Sequence, residues 1–559
     1  MGERRPVVVP EPKRLSFTGR WLEFDGFANL DEFVAREFNV PRGGWELRRV
    51  DRRGTGLAVR EGHVEVWGDP RIYTATLLQL IIQGGGRRIP EVEVEEELRF
   101  EFRGFHLDVA RGGVATVGEL KRLLRWLFLL KYNYLAVYVE DLFPWDRHPE
   151  VGARRGRYTS EEWREVTEYG RRLGVEVFPS LELCGHMEWI LALPRYRRFS
   201  EWHRPEEGCL DAGDPEARRF AEELLEEAIE KTGAGYIHIG GDETWALGRG
   251  KSLDRLGRFE GPRLYAEHHS RLIEVARRRG KVPIIWGDMI AGMYLRETER
   301  ELWKAILENP AWRQALIANW DYSANTVEYF RGKIRLFKER GYEQIACPGL
   351  WNWNKYYPDF ETALTNVRNF LQAAREEGIK GFMVTAWGDD GEECLFSFLY
   401  PLILAAMEYA EGSGEWEEKW LALSGEPREV LEVRKAFGRG AVANYIKPVL
   451  FSPVEDVRGL PVFDEWRRAL ELAEGVRLPR DLEFIKRCLE VGLRKVEGRA
   501  TASDFLGLAS LYADLWLSER KPANLARVYA RFYGAAALLD LERRVSGRTS
   551  FGMLRSVDW

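Results

Sequence analysis

The sequence predicts an α/β protein built on a (β/α)8 TIM barrel, with a small α/β domain before the barrel and a helical region after it. Two observations predict the barrel. From Phe102 onward, eight short β-branched segments alternate with eight amphipathic ones, and acidic or aromatic residues follow most of the β-branched segments. Alternating strands and helices form a parallel sheet, and eight such units close into a barrel whose chemistry lies on the loops after the strands. An open doubly wound sheet is the less favoured alternative, because the sequence has no glycine-rich dinucleotide fingerprint.

The chain has 559 residues, which is more than one hydrophobic core usually serves. Residues 1–101 mix strand-like stretches such as 57–68 with a helix-like stretch at 72–83, and we expect a small α/β domain there. Residues 102–412 form the predicted barrel. In residues 413–559, apolar residues recur at three- and four-residue spacing, which predicts a C-terminal helical region that packs on the barrel or on another subunit.

The barrel elements follow in order along the chain. The predicted strands are 102–110, 134–140, 176–183, 235–241, 282–288, 315–322, 343–351 and 379–388. A helical pattern runs through residue 131 after the first strand, and the later predicted helices are 160–173, 215–231, 261–279, 298–307, 326–340, 360–377 and 395–410.

The composition limits the classes of partner. The 83 basic and 89 acidic residues give a net charge of −6, which does not favour a nucleic-acid surface. No segment has eighteen consecutive apolar residues, so we expect no membrane span. Five scattered cysteines without a CxxC pair, and an N-terminus without a long apolar run, predict a cytoplasmic protein. We expect no cofactor and no metal.

The stretch YIHIGGDETW, residues 236–245, places two adjacent acids directly after a strand and two glycines. A strand that stops at a polar turn, with Asp242 or Glu243 capping the next helix, would be the ordinary interpretation. The ends of the other strands favour a site instead, because acids and indoles recur there: Asp108, Glu182, Trp286, Asp288, Trp320, Trp351, Trp387 and Asp389. Carboxylates accept hydrogen bonds from sugar hydroxyls, and indoles cover the faces of sugar rings.

Adjacency of the two acids constrains the mechanism. Glycoside hydrolysis usually needs two carboxyl groups about 5 to 9 Å apart across the sugar, whereas adjacent residues have Cα atoms about 3.8 Å apart. A 2-acetamido group on the substrate could instead attack its own anomeric carbon. Glu243 would then protonate the leaving oxygen, and Asp242 would orient the acetamido N–H and stabilise the positive charge of the oxazolinium-like ring.

The motif HIGGDETW resembles the fourth barrel strand of family 20 glycoside hydrolases, the β-N-acetylhexosaminidases. RGFHLDVAR (103–111), PSLELCGH (179–186), IIWGDM and TAWGDD are similar to the first, third, fifth and eighth strands of that family, and the resemblance covers about residues 103–411. It implies a retaining exo-glycosidase that removes terminal β-linked N-acetylhexosamine, GlcNAc or GalNAc, from a glycan or glycoconjugate.

The resemblance also implies residue roles. Asp242 would orient the acetamido group and Glu243 would be the general acid and base. Arg103 and Asp389 would hold sugar hydroxyls, and His186 would support the catalytic pair. Trp286 and Trp387 would line the acetamido pocket and the ring. Trp320 and Trp351 are further candidate pocket aromatics because of their positions at strand ends, not because of the resemblance. The family often has a tyrosine after the seventh strand where this chain reads LWNWN, so we assign its contact with the acetamido oxygen to Tyr322.

Three other functions stay open at the level of sequence. A metal-dependent hydrolase could use His and Asp at strand ends, although the usual paired-histidine spacing is missing on the first strand, where His106 and Asp108 stand alone. A non-catalytic sugar-binding barrel would not need the Asp-Glu pair. A β-glycosidase with an enzymic carboxylate nucleophile would need an acid across the pocket, for which Asp321 and Asp389 are the candidates.

The C-terminal helices also suggest a possible homodimer.

Overall fold

The computed structural model describes residues 5–204 and 208–545. Its first part is a five-stranded sheet in the order β1-β5-β3-β4-β2, in which β2 and β4 are parallel and the other neighbours antiparallel. The strand-like stretch at 57–68 forms the hairpin of β3 and β4, which turns at Gly62 with a φ of 76°. The elements are β1 (Arg14–Glu23), α1 (Glu32–Glu37), β2 (Glu46–Arg49), β3 (Thr55–Arg60), β4 (His63–Trp67), α2 (Pro70–Gln83) and β5 (Arg88–Glu96).

A closed barrel of eight parallel strands follows, which confirms the predicted fold class. The strands are β6 (Phe102–Asp108), β7 (Tyr134–Tyr138), β8 (Glu176–Ser180), β9 (Tyr236–His238), β10 (Val282–Trp286), β11 (Leu316–Trp320), β12 (Gln344–Cys347) and β13 (Gly381–Ala386). The barrel closes where β13 pairs with β6 over six residue pairs, from Gly381 with Phe102 to Ala386 with Leu107. Strands β8 and β9 meet only through Ser180 and His238, directly below the Gly-Gly-Asp-Glu loop.

The helices after the strands are α3 (Val117–Leu129), α4 (Ser160–Leu173), α5 (Glu188–Leu191), α6 (Pro215–Glu230), α7 (Lys251–Leu256), α8 (Gly261–Arg278), α9 (Arg300–Leu307), α10 (Val327–Lys338), α11 (Phe360–Glu377) and α12 (Tyr400–Glu411). Eight of the ten helices from α3 to α12 lie close to the predicted positions, and the two short helices α5 and α7 were not predicted. Helix α4 shows why the prediction succeeds, because Thr159 forms a capping box with Glu162 and Gly174 ends the helix in the left-handed conformation.

Residues 413–545 are helical, as predicted. Their elements are α13 (Glu417–Ser424), α14 (Arg428–Phe437), α15 (Gly440–Ala443), α16 (Ile446–Phe451), α17 (Val454–Val457), α18 (Phe463–Ala473), α19 (Arg480–Val496), α20 (Ala502–Glu519) and α21 (Leu525–Val545). The predicted region continues to residue 559, and its last fourteen residues lie outside the described part of the chain. No helix within 5–204 or 208–545 combines the length and hydrophobicity of a membrane span.

Aromatic side chains fill the barrel where its strands begin. Phe102 stacks on Tyr134 with ring centroids 4.3 Å apart, and Tyr236 packs edge-on to both rings at 5.2 Å. These three residues are the first of β6, β7 and β9, so they fill the N-terminal end of the barrel. The polar side chains described below gather at the opposite, C-terminal end, where active sites of such barrels lie.

Candidate active site

The two glycines after β9 shape the loop that carries the paired acids. Gly240 and Gly241 have φ angles of 69° and 96°, a region that residues with a Cβ rarely adopt. A Cβ on Gly240 would lie 2.2 Å from Oε2 of Glu182, so another side chain would displace that acid. Glycine therefore permits both the turn and the close approach of Glu182 to the loop.

Asp242 and Glu243 lie together at the pocket but in different surroundings. The Asp242 carboxylate is 9% exposed and that of Glu243 is 42% exposed. His186 faces both, with Nε2 at 3.5 Å from Oδ2 of Asp242 and 3.3 Å from Oε2 of Glu243. The structure thus brings together the predicted catalytic pair and the histidine predicted to support it.

The charges around this cluster keep Asp242 ionised. Burial favours the protonated acid, but His186 and a hydrogen bond from Glu182 hold the pKa of Asp242 below its ordinary value. Burial and the Asp242 charge raise the pKa of Glu182 well above its usual range, which favours the protonated form of this carboxyl. Burial opposes the charged form of His186, yet Asp242 and Glu243 raise its pKa well above 6.5. A protonated histidine between two carboxylates follows.

Asp288, from the loop after β10, anchors the backbone of Glu243. Its Oδ2 accepts the Glu243 N–H at 3.0 Å, and its Oδ1 accepts Trp320 Nε1–H at 3.2 Å. Burial and the nearby Asp242 raise the pKa of Asp288 to about 7. Because Glu243 has a φ of 49°, this bond helps to hold a strained backbone that aims the acid into the pocket.

The assignment of Arg103 to sugar hydroxyls is wrong. Arg103 is 7% exposed and lies near the start of β6, where its guanidinium donates to the backbone carbonyls of Lys131 and Phe100 at 2.9 and 2.5 Å. That end of the strand is opposite the pocket. Residues that reach the pocket must follow the strand, so Arg103 supports the barrel instead.

Arg111, three residues past the end of β6, lies in the pocket. It donates to Asp108 at 2.6 Å and faces Glu140 at 3.0 Å. Its guanidinium lies over the rings of Tyr138 and Trp387, 4.6 and 5.3 Å from the centroids. The sequence contained the signal that would have identified it, because Arg111 follows the strand whereas Arg103 precedes most of it.

An aromatic wall lines the pocket. Trp286 and Trp387 have ring centroids 5.8 Å apart, and Trp387 Nε1 donates to the Tyr322 hydroxyl at 2.7 Å. Trp320 stacks on Tyr322 at 5.0 Å. These four predicted residues belong to the cluster inside the barrel. Tyr322 is thereby positioned through its hydroxyl and through its ring.

Trp351 lies behind this wall and is not part of it. It packs against the core outside the barrel, and its Nε1 donates to the backbone carbonyl of Tyr322 at 2.5 Å. Its neighbour Trp353 instead packs on the Tyr322 ring at 5.2 Å and belongs to the cluster inside the barrel. The two indoles contact each other, with ring centroids 5.0 Å apart, and sequence alone did not show which one faces the pocket.

Asp321 and Asp389, the two candidate nucleophiles of the β-glycosidase alternative, have different surroundings. Asp321 is engaged by Lys333 Nζ at 2.7 Å, Ser323 Oγ at 2.5 Å and the Tyr329 hydroxyl at 3.0 Å, all outside the pocket. Asp389 follows β13 and faces Arg111. Burial raises the pKa of Asp389, and Arg111 opposes that shift. The role of Asp389 in holding sugar hydroxyls stays a prediction.

Tyr294 is a pocket residue that the sequence analysis missed. Its hydroxyl donates to Oε1 of Glu243 at 2.9 Å, from a loop eight residues after the end of β10. The Tyr294 side chain is 37% exposed. No regular spacing links a tyrosine this far along a loop to the acid, so no sequence signal identified it.

Two groups bring three potential metal ligands within 4.8 Å of one another: Cys184, His268 and His269, and, at the pocket, Glu140, His186 and Glu188. In the first group each histidine already has one ring nitrogen on a backbone carbonyl, at 2.9 Å in both cases. In the second, Glu140 faces Arg111 and His186 faces the catalytic acids. Protein partners thus already engage four of these six side chains.

Comparisons with known proteins agree with this geometry. The family model described as glycosyl hydrolase family 20, catalytic domain, matches residues 100–411, more than half of the chain. Similar proteins include a beta-hexosaminidase of Porphyromonas gingivalis, 27% identical over 35% of this chain and 29% of its own length. Human hexosaminidase D is 26% identical over 52% of this chain and 60% of its length.

Solved structures show the same fold. A beta-N-acetylhexosaminidase from Bacteroides fragilis superposes with a TM-score of 0.60 at 20% identity, covering 75% of this chain and 94% of that one. Flavobacterium johnsoniae chitobiase superposes with a TM-score of 0.59 at 16% identity, covering 92% and 99%. The chain spans 29% to 60% of the length of the first curated relatives it matches. On the match of the catalytic-domain model, this chain belongs to glycosyl hydrolase family 20.

Proposed function

We propose that this protein is a retaining exo-β-N-acetylhexosaminidase that uses the 2-acetamido group of its substrate as the nucleophile. The substrate is a glycan or glycoconjugate with a terminal β-linked N-acetylhexosamine. The observation that carries the proposal is the pair of adjacent acids, of which Asp242 is buried and held ionised by His186 and Glu182, while Glu243 reaches solvent. Two acids so placed suit two different roles on one side of the anomeric carbon.

In the first step, the acetamido carbonyl oxygen bonds to the anomeric carbon as the glycosidic bond breaks. Glu243 transfers its proton to the leaving oxygen. Asp242 accepts the acetamido N–H and stabilises the positive charge that develops on the oxazolinium ring. His186 contacts both carboxylates and maintains their positions.

In the second step, water attacks the anomeric carbon from the side that the leaving group vacated. Glu243, now a carboxylate, takes the proton of the water, and the bond to the acetamido oxygen breaks. Two displacements at the same carbon retain its configuration. Arg111 and Asp389 are assigned to the hydroxyls of the sugar, and Trp286, Trp387 and Tyr322 to the ring and the acetamido group.

The rival with an enzymic nucleophile is less well supported. Asp321 is bound by Lys333, Ser323 and Tyr329, so it cannot reach an anomeric carbon without losing three partners. Burial raises the pKa of Asp389, which disfavours the carboxylate form that a nucleophile would need. We therefore assign the role of nucleophile to the 2-acetamido group of the substrate.

The test is the cleavage rate of an aryl β-GlcNAc glycoside and of the matching aryl β-glucoside, for wild type and Glu243→Gln. We expect release from the GlcNAc compound only. Loss of the acid and base should reduce kcat/KM by about 10²- to 10⁴-fold. Circular dichroism of the variant provides the control for folding.

Equal rates on the two glycosides would show that the acetamido group takes no part, and the roles of Asp242 and Glu243 would have to be withdrawn. No turnover of either compound by the folded wild type would favour a sugar-binding barrel.

A further inference from the structure

We propose that Cys184, Cys209, His268 and His269 form a structural zinc site behind the loop that carries the paired acids. Cys184, His268 and His269 are buried, and each brings one ligand atom within 4.8 Å of the other two. Ligand atoms around tetrahedral zinc lie about 3.3–3.8 Å apart, so small movements of these side chains would bring them to the metal. No short motif joins the four residues, because they come from three separate segments of the chain, so the sequence alone indicates no metal.

The two histidines are oriented as metal ligands are. His268 Nε2 donates to the Leu183 carbonyl and His269 Nδ1 to the Tyr265 carbonyl, at 2.9 Å in both cases. A metal-binding histidine donates one ring N–H in this way, which fixes the tautomer and leaves the other ring nitrogen for the metal. His269 Nε2 is such a nitrogen, and it is buried without a hydrogen-bond partner among the described residues. Binding to a metal would compensate the free energy that an unpaired buried nitrogen costs.

Burial keeps both imidazoles neutral. It lowers the pKa of His268 from 6.5 to about 4, and it holds the pKa of His269 well below the ordinary value. A neutral imidazole binds a metal through the lone pair of a ring nitrogen, whereas a protonated one has no lone pair to offer. Both histidines are therefore in the form that a metal requires.

Cys209 supplies the fourth ligand, because its thiol shares a hydrogen bond with the Cys184 thiol. Backbone bonds hold the two cysteine segments side by side: the Leu210 N–H donates to the Cys184 carbonyl at 2.7 Å, and the Met187 N–H donates to the Gly208 carbonyl at 2.8 Å. Both cysteines are buried and free of disulfides. Two sulfurs and two imidazoles are a ligand set of closed, four-coordinate structural zinc sites.

The proposed zinc site lies next to two loops of the pocket. Cys184 precedes His186 by two residues in the loop after β8, and the two histidines of the zinc site belong to α8. A Cβ on Gly241 would lie 3.0 Å from His269 Nε2, so glycine leaves space beside this nitrogen in the loop that carries Asp242. Zinc would tie α8 to the loop of His186. Because protein side chains fill all four positions, the metal would hold structure and would not bind substrate.

The first test measures the zinc content of the full chain, for wild type and Cys184→Ala, after purification from a zinc-supplemented medium. Elemental mass spectrometry should find one zinc ion per chain in wild type and none in the variant. Cys488→Ala is the matched control, because Cys488 is equally buried but lies on α19, and this variant should keep its zinc. Circular dichroism checks the folding of both variants.

A cobalt titration of chelator-treated wild type does not depend on the folding of a variant. Thiolate bound to Co²⁺ gives a sulfur-to-cobalt charge-transfer absorption, which should saturate at one Co²⁺ per chain and disappear when Zn²⁺ is added. Zn²⁺ should also raise the unfolding temperature of the chelator-treated protein, because a ligand of the folded state stabilises it.

Wild type that holds no zinc and shows no charge-transfer absorption with Co²⁺ would overturn the site. Zinc that Cys184→Ala retains would place the metal elsewhere and would overturn it too. A disulfide between Cys184 and Cys209, detected by mass spectrometry of the unreduced protein, would have the same consequence. None of these measurements needs turnover, so their outcome is independent of the proposed function.

Discussion

Arg111 and Arg103 lie eight residues apart and have opposite surroundings. Arg111 contacts Asp108, Glu140 and the Trp387 ring in the pocket, whereas Arg103 bonds to carbonyls at the other end of β6. We predict that Arg111→Ala raises KM at least about tenfold, because a charged hydrogen bond contributes about 1.5–3 kcal/mol. Arg103→Met should leave KM unchanged and lower the free energy of unfolding. Steady-state kinetics and urea denaturation measure the two effects.

The variants Arg111→Ala and Arg103→Met serve as controls for each other. A rise of KM in Arg103→Met with no change in Arg111→Ala would reverse the assignment.

Glu140 predicts a pH dependence of stability. It is buried, accepts the Tyr138 hydroxyl at 3.1 Å and faces Arg111, and burial raises its pKa from 4.5 to about 8 despite Arg111. A carboxyl with a raised folded-state pKa stabilises the protein fully below its unfolded pKa, and that contribution is lost as the pH rises towards about 8. The unfolding free energy of wild type relative to Glu140→Gln should therefore fall between pH 5 and pH 8. Urea denaturation at both values measures it.

Because other titrating groups are common to both proteins, their effects cancel in this difference. A difference that stays constant, or grows with pH, would contradict the buried environment of Glu140.

At the residue scale, sequence identified most of the site because barrel strands aim their C-terminal residues at one pocket. His186, Asp242 and Glu243 meet within 3.5 Å as predicted. The prediction failed at Arg103, because this residue lies near the start of β6 and not after its end. It also failed at Trp351, because the conformation of the loop after β12 determines which way the indole faces. Tyr294 has no counterpart in the pattern, since only the folded loop brings it to Glu243.

At the scale of elements, the loop after β9 depends on Gly240. We predict that Gly240→Ala lowers kcat at least about tenfold and destabilises the protein by about 1–3 kcal/mol, because alanine is strained at positive φ and its Cβ meets Glu182 at 2.2 Å. Gly235→Ala is the control, because no atom lies within 4 Å of its Cβ and its φ is not positive. Thermal unfolding and kinetics on both variants check this.

Equal behaviour of the two alanine variants would mean that the backbone of this loop adapts, and the argument for Gly240 would fail.

The regular elements of the barrel could be predicted because hydrophobic period and end signals agree in each of them. Helix α4 has its cap, its acidic first turn and its terminal glycine in the sequence. The short helices α5 and α7, each under seven residues, were missed. Such segments are too short to show a period, and tertiary contacts determine them.

At the scale of the whole molecule, the C-terminal helices hold the loop that carries Asp389. Arg520, which is buried, donates to the Glu392 carbonyl at 2.5 Å, and the Tyr512 hydroxyl donates to the Glu393 carbonyl at 2.5 Å. Lys447 pairs with Glu393 at 2.6 Å. The predicted helical region carries no catalytic motif, yet it fixes the backbone after β13. A dimer through these helices stays a prediction.

Arg531 on α21 tests this coupling. Arg531 pairs with Asp390 at 2.7 Å and with Glu393 at 3.1 Å. Between these two ion pairs the backbone is strained, because Asp390 and Glu392 adopt positive φ angles of 63° and 57°. Strained backbone persists only while its surroundings hold it. On the proposed function, Asp389 would hold sugar hydroxyls in the ground state and the transition state alike. We therefore predict that Arg531→Ala raises KM about tenfold with a smaller change in kcat.

Arg531→Lys should restore part of the affinity for substrate, because the lysine ammonium can form one of the two ion pairs. A general loss of stability would not explain such a partial recovery. Arg480→Ala is the control, because Arg480 pairs with Asp514 at the surface, where their side chains are 62% and 57% exposed. If both alanine variants shift KM equally, the helices do not act through this loop. If only Arg531→Ala does, the C-terminal helices influence substrate affinity through the loop after β13.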